Sequence, residues 1–231
     1  ISFSDPDIQN SDLEAVKSVI SGGWLTHGKY SDHLEKLFCE YTNAKYATTI
    51  SNCTAGLHLS CIAAGFGPGD EVIVPAQTHT ATAHAVEFTG AKAVFADVDP
   101  VSGNILLDDF KAKTNPLTRG VIPVHMAGQP CAMKEINKFC KKNNLVLIED
   151  CAHAIGTMVE GQHVGNFGIT GCFSFYPTKQ ITTGEGGMVI SNDEQIIEEV
   201  KKLKAFGIDT PPALRAKPGV YDVQSLGYNF R

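Results

Sequence analysis

Apolar positions along this chain fall into two alternating patterns. Short, largely β-branched runs at 47–50, 71–74, 93–96, 120–124, 145–148, 171–175 and 187–190 read as strands. Between them, apolar residues three and four apart predict helices at 54–64, 79–88, 133–142 and 193–205. The strands are apolar throughout, as strands covered by helices on both faces are. This rhythm predicts an α/β fold: a three-layer arrangement around a mainly parallel sheet. An N-terminal helical segment precedes it. One helix is opened by Ser11-Asp12-Leu13-Glu14 and runs through Ile20, with Ser11 as expected N-cap and Glu14 completing a capping box; the other spans 31–41. Residues 210–219, with Pro211, Pro212 and Pro218, read as a loop or linker.

Composition narrows the function classes. A length of 231 residues suits one large domain, or one domain and a fragment of another. Net charge of −6 without a Lys/Arg cluster argues against a nucleic-acid partner. No run of about eighteen apolar residues and no signal peptide is present, so no membrane partner and a cytoplasmic location are expected. The seven cysteines are scattered and form no C-x-x-C, which reads as reduced thiols rather than a disulfide framework or metal site.

In such a sheet, ligands sit at the carboxyl ends of the strands, so the residues found there are the candidates for chemistry. Ser51-Asn52-Cys53-Thr54-Ala55-Gly56 runs from a strand into a helix. Small residues and the unpaired N–H groups of a helix start make either an anion cradle or a plain capped helix. Neither G-K-[ST] nor G-x-G-x-x-G is present. His79 follows the 71–74 strand, where its ring is either a structural group or a stacking surface for a flat heterocycle. His125 carries the same two readings. Asp150 follows the strand ending at Ile148, either to cap the next turn or to face a protonated ring nitrogen, with His153 three residues on. The Trp24 loop is open between a local plug and a substrate contact.

Phe173-Ser174-Phe175-Tyr176-Pro177-Thr178-Lys179 then presents one lysine ahead of Gly184-Glu185-Gly186-Gly187. An exposed lysine is almost wholly protonated at neutral pH, so a nucleophilic lysine must be desolvated or held as an imine. Lys179 is therefore either a solvated loop residue or the amine that a carbonyl cofactor needs. A phosphate cradle, a stacking ring, a carboxylate and a lysine at the strand ends of one sheet together suit pyridoxal phosphate.

These stretches, with Gly67-Pro68-Gly69-Asp70-Glu71-Val72-Ile73, Glu149-Asp150-Cys151-Ala152-His153-Ala154 and Gly227-Tyr228-Asn229-Phe230-Arg231, resemble the DegT/DnrJ/StrS-type sugar aminotransferases over nearly the whole chain. The resemblance implies a fold-type I, aspartate-aminotransferase-like domain that binds pyridoxal 5′-phosphate, with pyridoxamine 5′-phosphate as the intermediate form. It implies that Lys179 binds the cofactor aldehyde and shuttles a proton, and that Asp150 keeps the pyridine nitrogen protonated. Thr54, the Ala55 backbone and Ser174 would bind the phosphate, and His79 would stack on the ring. His153 stands where the family usually has glutamine, and Cys53 where it usually has glycine. Asn229 would reach the neighbouring subunit's phosphate site, implying a homodimer with shared active sites.

The implied reaction moves an amino group from glutamate to a keto sugar nucleotide in amino-sugar biosynthesis; a catalytically silent or regulatory relative is the alternative. Lys179 argues against a dehydratase branch that carries histidine there. Family members continue past Asn229-Phe230-Arg231 into a smaller C-terminal domain. The 231 residues are therefore expected to be the large cofactor domain of a longer enzyme.

Overall fold

The structure, a computed structural model, describes residues 5–208 and 221–231. The linker expected at 210–219 lies outside the described residues. In chain order the elements are helices α1 (Asn10–Ser21) and α2 (Lys29–Thr42), then β1 (Tyr46–Ile50), α3 (Cys53–Ala63), β2 (Glu71–Pro75), α4 (Thr80–Glu87) and β3 (Lys92–Ala96). They continue with α5 (Leu107–Lys113), β4 (Thr118–Val121), a 3-10 turn (Met126–Gly128), α6 (Met133–Asn143) and β5 (Val146–Asp150). A small hairpin, β6 (Met158–Val159) with β7 (Gln162–His163), precedes β8 (Thr170–Ser174), β9 (Gly187–Ser191) and α7 (Glu194–Lys204).

Seven strands form one sheet in the order β1-β9-β8-β5-β4-β2-β3. β3, β2, β4, β5 and β8 run parallel, whereas β9 is antiparallel to both β8 and β1. Every strand but β9 therefore points the same way, and their carboxyl ends share one edge. Because β9 runs back, the loop from β8 to β9 also stays at that edge, and it carries Lys179 and Glu185.

Strand residues alternate between two cores, which makes the three layers. Val72, Val74, Ile148, Cys172 and Val189 pack with Leu57 of α3, Val86 of α4 and Val200 of α7. On the other face, Ile73, Val121 and Leu147 meet Phe110 of α5 and Ile136 of α6, while Phe173 and Ile190 meet Phe38 of α2. Helix α3 approaches the sheet closely because Gly56 has no side chain: a β-carbon there would lie 2.9 Å from Val189.

Three sequence expectations are corrected. Helix α1 starts at Asn10 after Gln9 as N-cap, and Asp12 rather than Glu14 reaches back, accepting from the Gln9 N–H at 2.9 Å. The strand expected at 120–124 is β4, ending at Val121; Pro123 has no N–H for a ladder, and Val124 rejoins only as an isolated bridge to Asp150. Asp150 itself is the last residue of β5 rather than a loop residue beyond it.

Candidate active site

The site assembles at the carboxyl edge. A cavity of about 850 Å³ is lined there by Thr54 from the start of α3, Thr78 and His79 before α4, Asp150 at the end of β5 and His153 beyond it, and Ser174 at the end of β8 and Lys179 beyond it. This volume lies within the range of about 300–1,000 Å³ usual for small-molecule sites.

At the cradle, the Asn52 side chain caps α3 by accepting the Ala55 N–H at 2.9 Å. Ala55 is buried and does not line the cavity, and its N–H, expected at a phosphate, is bonded to Asn52 in this structure. The first-turn N–H groups of Cys53 and Thr54 have no intrahelical acceptor, and a helix start of this kind favours negative charge. Ser174 ends β8 in the same cavity wall, its Oγ accepting the Tyr176 N–H at 3.3 Å.

Asp150 is 5% exposed. Its Oδ2 accepts the Thr82 hydroxyl at 2.8 Å and its Oδ1 the Ala152 N–H at 3.1 Å. Each oxygen keeps accepting capacity toward the cavity. His79 is the N-cap of α4, its Nδ1 accepting the Ala81 N–H at 3.2 Å, which fixes the ring at the cavity wall. His153 is held similarly: its Nδ1 accepts the Ala127 N–H at 3.3 Å. Desolvation pushes the His153 pKa down, Lys179 adds to that, and Asp150 opposes it. A neutral imidazole with an occupied Nδ1 carries its proton on Nε2 and is a donor there.

Lys179 is half-buried, placed by a turn in which its N–H donates to the Tyr176 carbonyl at 2.9 Å. Burial pushes its pKa below the ordinary 10.5, with Cys53 and Asp150 opposing. Cys53 opposes only as a thiolate, and burial holds that thiol well above its ordinary range. At neutral pH the counterweight is therefore Asp150.

Below Asp150, four donors converge on Glu149: Phe167 and Gly168 N–H on Oε1 at 2.7 and 2.8 Å, Gly165 N–H on Oε2 at 2.8 Å, and His125 Nε2 on Oε2 at 3.1 Å. His125 Nδ1 accepts the Cys131 N–H at 3.2 Å, so Nε2–H is the donor to Glu149. The ambivalence over His125 thus resolves to a buried structural tautomer. Trp24 is 65% exposed, donates its indole N–H to the His27 carbonyl at 2.8 Å, and does not line the cavity. Asn229 is also outside the cavity. It is exposed on the 221–231 segment, bridged to Ala205, while the neighbouring Phe230 carbonyl accepts the Ser51 N–H at 2.9 Å. The sequence reading missed Thr78, Asn52 and Glu185 as lining residues, which only position relative to a strand end could have flagged, and Thr82, which carries no signal in the sequence.

A helix start, two hydroxyls, a histidine held at the wall, a fixed carboxylate and a partly desolvated amine around one cavity make the kind of donor set that a pyridoxal-phosphate site on a fold-type I domain needs. The profile of the DegT/DnrJ/EryC1/StrS aminotransferase family matches residues 6–231, and the chain belongs to this family. It is 42% identical over 228 residues to a GDP-perosamine synthase of Vibrio cholerae, covering 98% of this chain and 60% of that protein. An aminotransferase from Psychrobacter cryohalolentis superposes with a TM-score of 0.94 at 35% identity, over 100% of this chain and 60% of that one. Spr1654 of Streptococcus pneumoniae, solved in PLP and PMP forms, is 28% identical, with TM-scores of 0.88 and 0.90, and is spanned to 62% and 63% of its length. The chain thus spans about 60% of the length of the curated relative it matches. Pyridoxal phosphate is the cofactor of the family, and the donor set described here fits it.

Proposed function

We propose that this chain is the cofactor-binding large domain of an aminotransferase that moves an amino group, from glutamate, to the keto group of a nucleotide-linked sugar. The observation that carries the reading is the opening of Lys179 and Asp150 into one cavity beside the α3 anion cradle. Thr54, Ser174 and the N–H groups of Cys53 and Thr54 would hold the phosphate, His79 the ring face, His153 the ring oxygen and Asp150 the ring nitrogen. Bound there, pyridoxal phosphate supplies an aldehyde that condenses with amines and a ring that takes up an electron pair. Lys179 would hold the aldehyde and, when its amine is free, would take up and return a proton at Nζ. Its partial desolvation keeps the neutral amine accessible. Asp150 would face the ring nitrogen, where a carboxylate supports the ring's uptake of an electron pair. His153 donates from Nε2.

The relative named GDP-perosamine synthase supports GDP-linked keto sugars as the first substrates to try. Exposed Asn229 supports a homodimer in which each protomer completes its partner's site. We place the enzyme in the cytoplasm, where nucleotide sugars and glutamate are both available. The test is incubation of the intact protein with glutamate and a panel of keto-sugar nucleotides, following 2-oxoglutarate release. Turnover with one sugar, lost in Lys179→Ala together with the visible absorbance, supports the reading. Cofactor binding with no sugar aminated overturns it in favour of a silent or regulatory relative.

A further inference from the structure

Thr82 lies outside the cavity wall, yet its hydroxyl is the one side-chain donor to Asp150 among the described residues. It is fully buried, and the bond joins helix α4 to the end of β5 across 68 residues of sequence. Thr78, itself in the cavity wall, has its hydroxyl oxygen 2.8 Å from that of Thr82. A hydroxyl has one proton, and that of Thr82 goes to Asp150 Oδ2. Thr78 must therefore be the donor in the Thr78–Thr82 contact. The result is a directed chain, Thr78 O–H to Thr82 Oγ1 and Thr82 O–H to Asp150 Oδ2, with both dipoles aimed at the carboxylate. Successive bonds of this kind strengthen each other, most at the Thr82–Asp150 end, where both groups are buried.

The start of α4 makes the arrangement possible. His79 is the N-cap, and the Thr82 N–H donates to the His79 carbonyl at 3.2 Å, closing the first turn. The cap places the His79 ring at the cavity, and three residues later the same turn aims a hydroxyl at Asp150. Lys179 and His153 on the cavity side, and the buried thiols Cys53, Cys131, Cys151 and Cys172, are the other titratable groups that feel the Asp150 charge among the described residues. None of them is a hydrogen-bond partner of its oxygens among the described residues.

We propose that Thr82, backed by Thr78, is a positioning residue that fixes the rotamer of Asp150 and supports its charged form toward the cofactor nitrogen. This rests on the function proposed above. The test is a double-mutant cycle in the intact protein between Thr82→Val and Asp150→Asn. Two quantities are read: the dissociation constant for pyridoxal 5′-phosphate, and the pH midpoint of the visible band of the loaded protein. Thr82→Val is expected to weaken cofactor binding about tenfold and to move the midpoint. Thr82→Ser, which keeps the hydroxyl, restores both to within about twofold. Thr78→Val shifts both in the same direction by less. In the Asp150→Asn background, Thr82→Val adds less than about twofold, because its target has lost the charge.

An equal effect of Thr82→Val in both backgrounds, or failure of Thr82→Ser to rescue, overturns the proposal and leaves Thr82 a packing residue. If Asp150→Asn alone changes neither quantity, the assignment of Asp150 fails instead. Should Thr82→Val not fold, Thr82→Ala removes the same donor without adding bulk, and the cycle is read with it.

Discussion

Gly187 packs so tightly on the start of α3 that a β-carbon there would lie 3.0 Å from the Cys53 backbone nitrogen and 2.6 Å from the Phe173 carbonyl oxygen. The glycine-rich loop thus includes a position where β9 must have no side chain for the anion cradle to keep its place. Gly187→Ala is expected to cost about 1–3 kcal/mol of stability and to weaken cofactor retention by displacing the cradle. Gly184→Ala is the control. Its φ of +80° makes a side chain strained, but nothing lies within 4 Å of the added carbon. It should lose about 1 kcal/mol and keep its cofactor. Equilibrium dialysis with pyridoxal 5′-phosphate separates the two; equal retention by Gly187→Ala and wild type defeats the prediction.

The lowered pKa of Lys179 makes stability pH-dependent, with a sign that can be worked out. Between the lowered value and the ordinary 10.5, the unfolded chain holds the proton and the folded chain does not. Raising the pH through that window therefore favours the folded state, and below it the penalty is in full force. Without cofactor, Lys179→Met should melt higher than wild type near pH 7, by about 2–4 °C. The gap should close as the pH approaches 10.5. Partial exposure of the side chain keeps the effect at the lower end. Calorimetry of cofactor-free protein across this range reads it, and a constant gap or a less stable variant counts against it.

Glu149 is more deeply committed than its neighbour. Three backbone N–H groups and His125 point at its two oxygens in a fully buried site. Glu149→Gln keeps the shape but turns two donors toward donors, so a loss of roughly 3 kcal/mol is expected. The Gly165–Gly168 backbone that Glu149 holds should loosen first, as faster amide exchange at Phe167 and Gly168. Unchanged exchange there together with a small loss in denaturant titration would show that the network is not the anchor described here.

How much of this was readable beforehand depends on what each residue faces. The βα rhythm was legible because strands covered on both faces, such as β5 with Leu147 and Ile148 in opposite cores, are apolar throughout. Lys179, Asp150, His79 and Ser174 were legible because a parallel sheet sends chemistry to its carboxyl edge. Thr82 was not: a threonine in an amphipathic helix carries no titratable signal, and only the fold shows it beside Asp150. Helix α5 was missed because seven residues give too few turns for a period to emerge. The hairpin β6–β7, with two residues to a strand, is shorter still. The Asn52 cap on the Ala55 N–H was not legible, because it depends on a side-chain rotamer.

Asn229 offers the sharpest test of shared sites. It is exposed and lies outside the cavity of its own chain, so any contact it makes with cofactor crosses a subunit boundary. Asn229→Ala and Lys179→Ala should each abolish or strongly depress activity as homodimers, for different reasons. Mixed and allowed to exchange subunits, they form dimers in which one site keeps Lys179 from one protomer and Asn229 from the other. With random exchange, half the dimers are mixed and one of their two sites is intact, so about a quarter of wild-type activity should return. If Asn229 instead served its own chain, or nothing, mixing would return only the sum of the two parents. The readout is 2-oxoglutarate release before and after exchange, at the same total protein concentration.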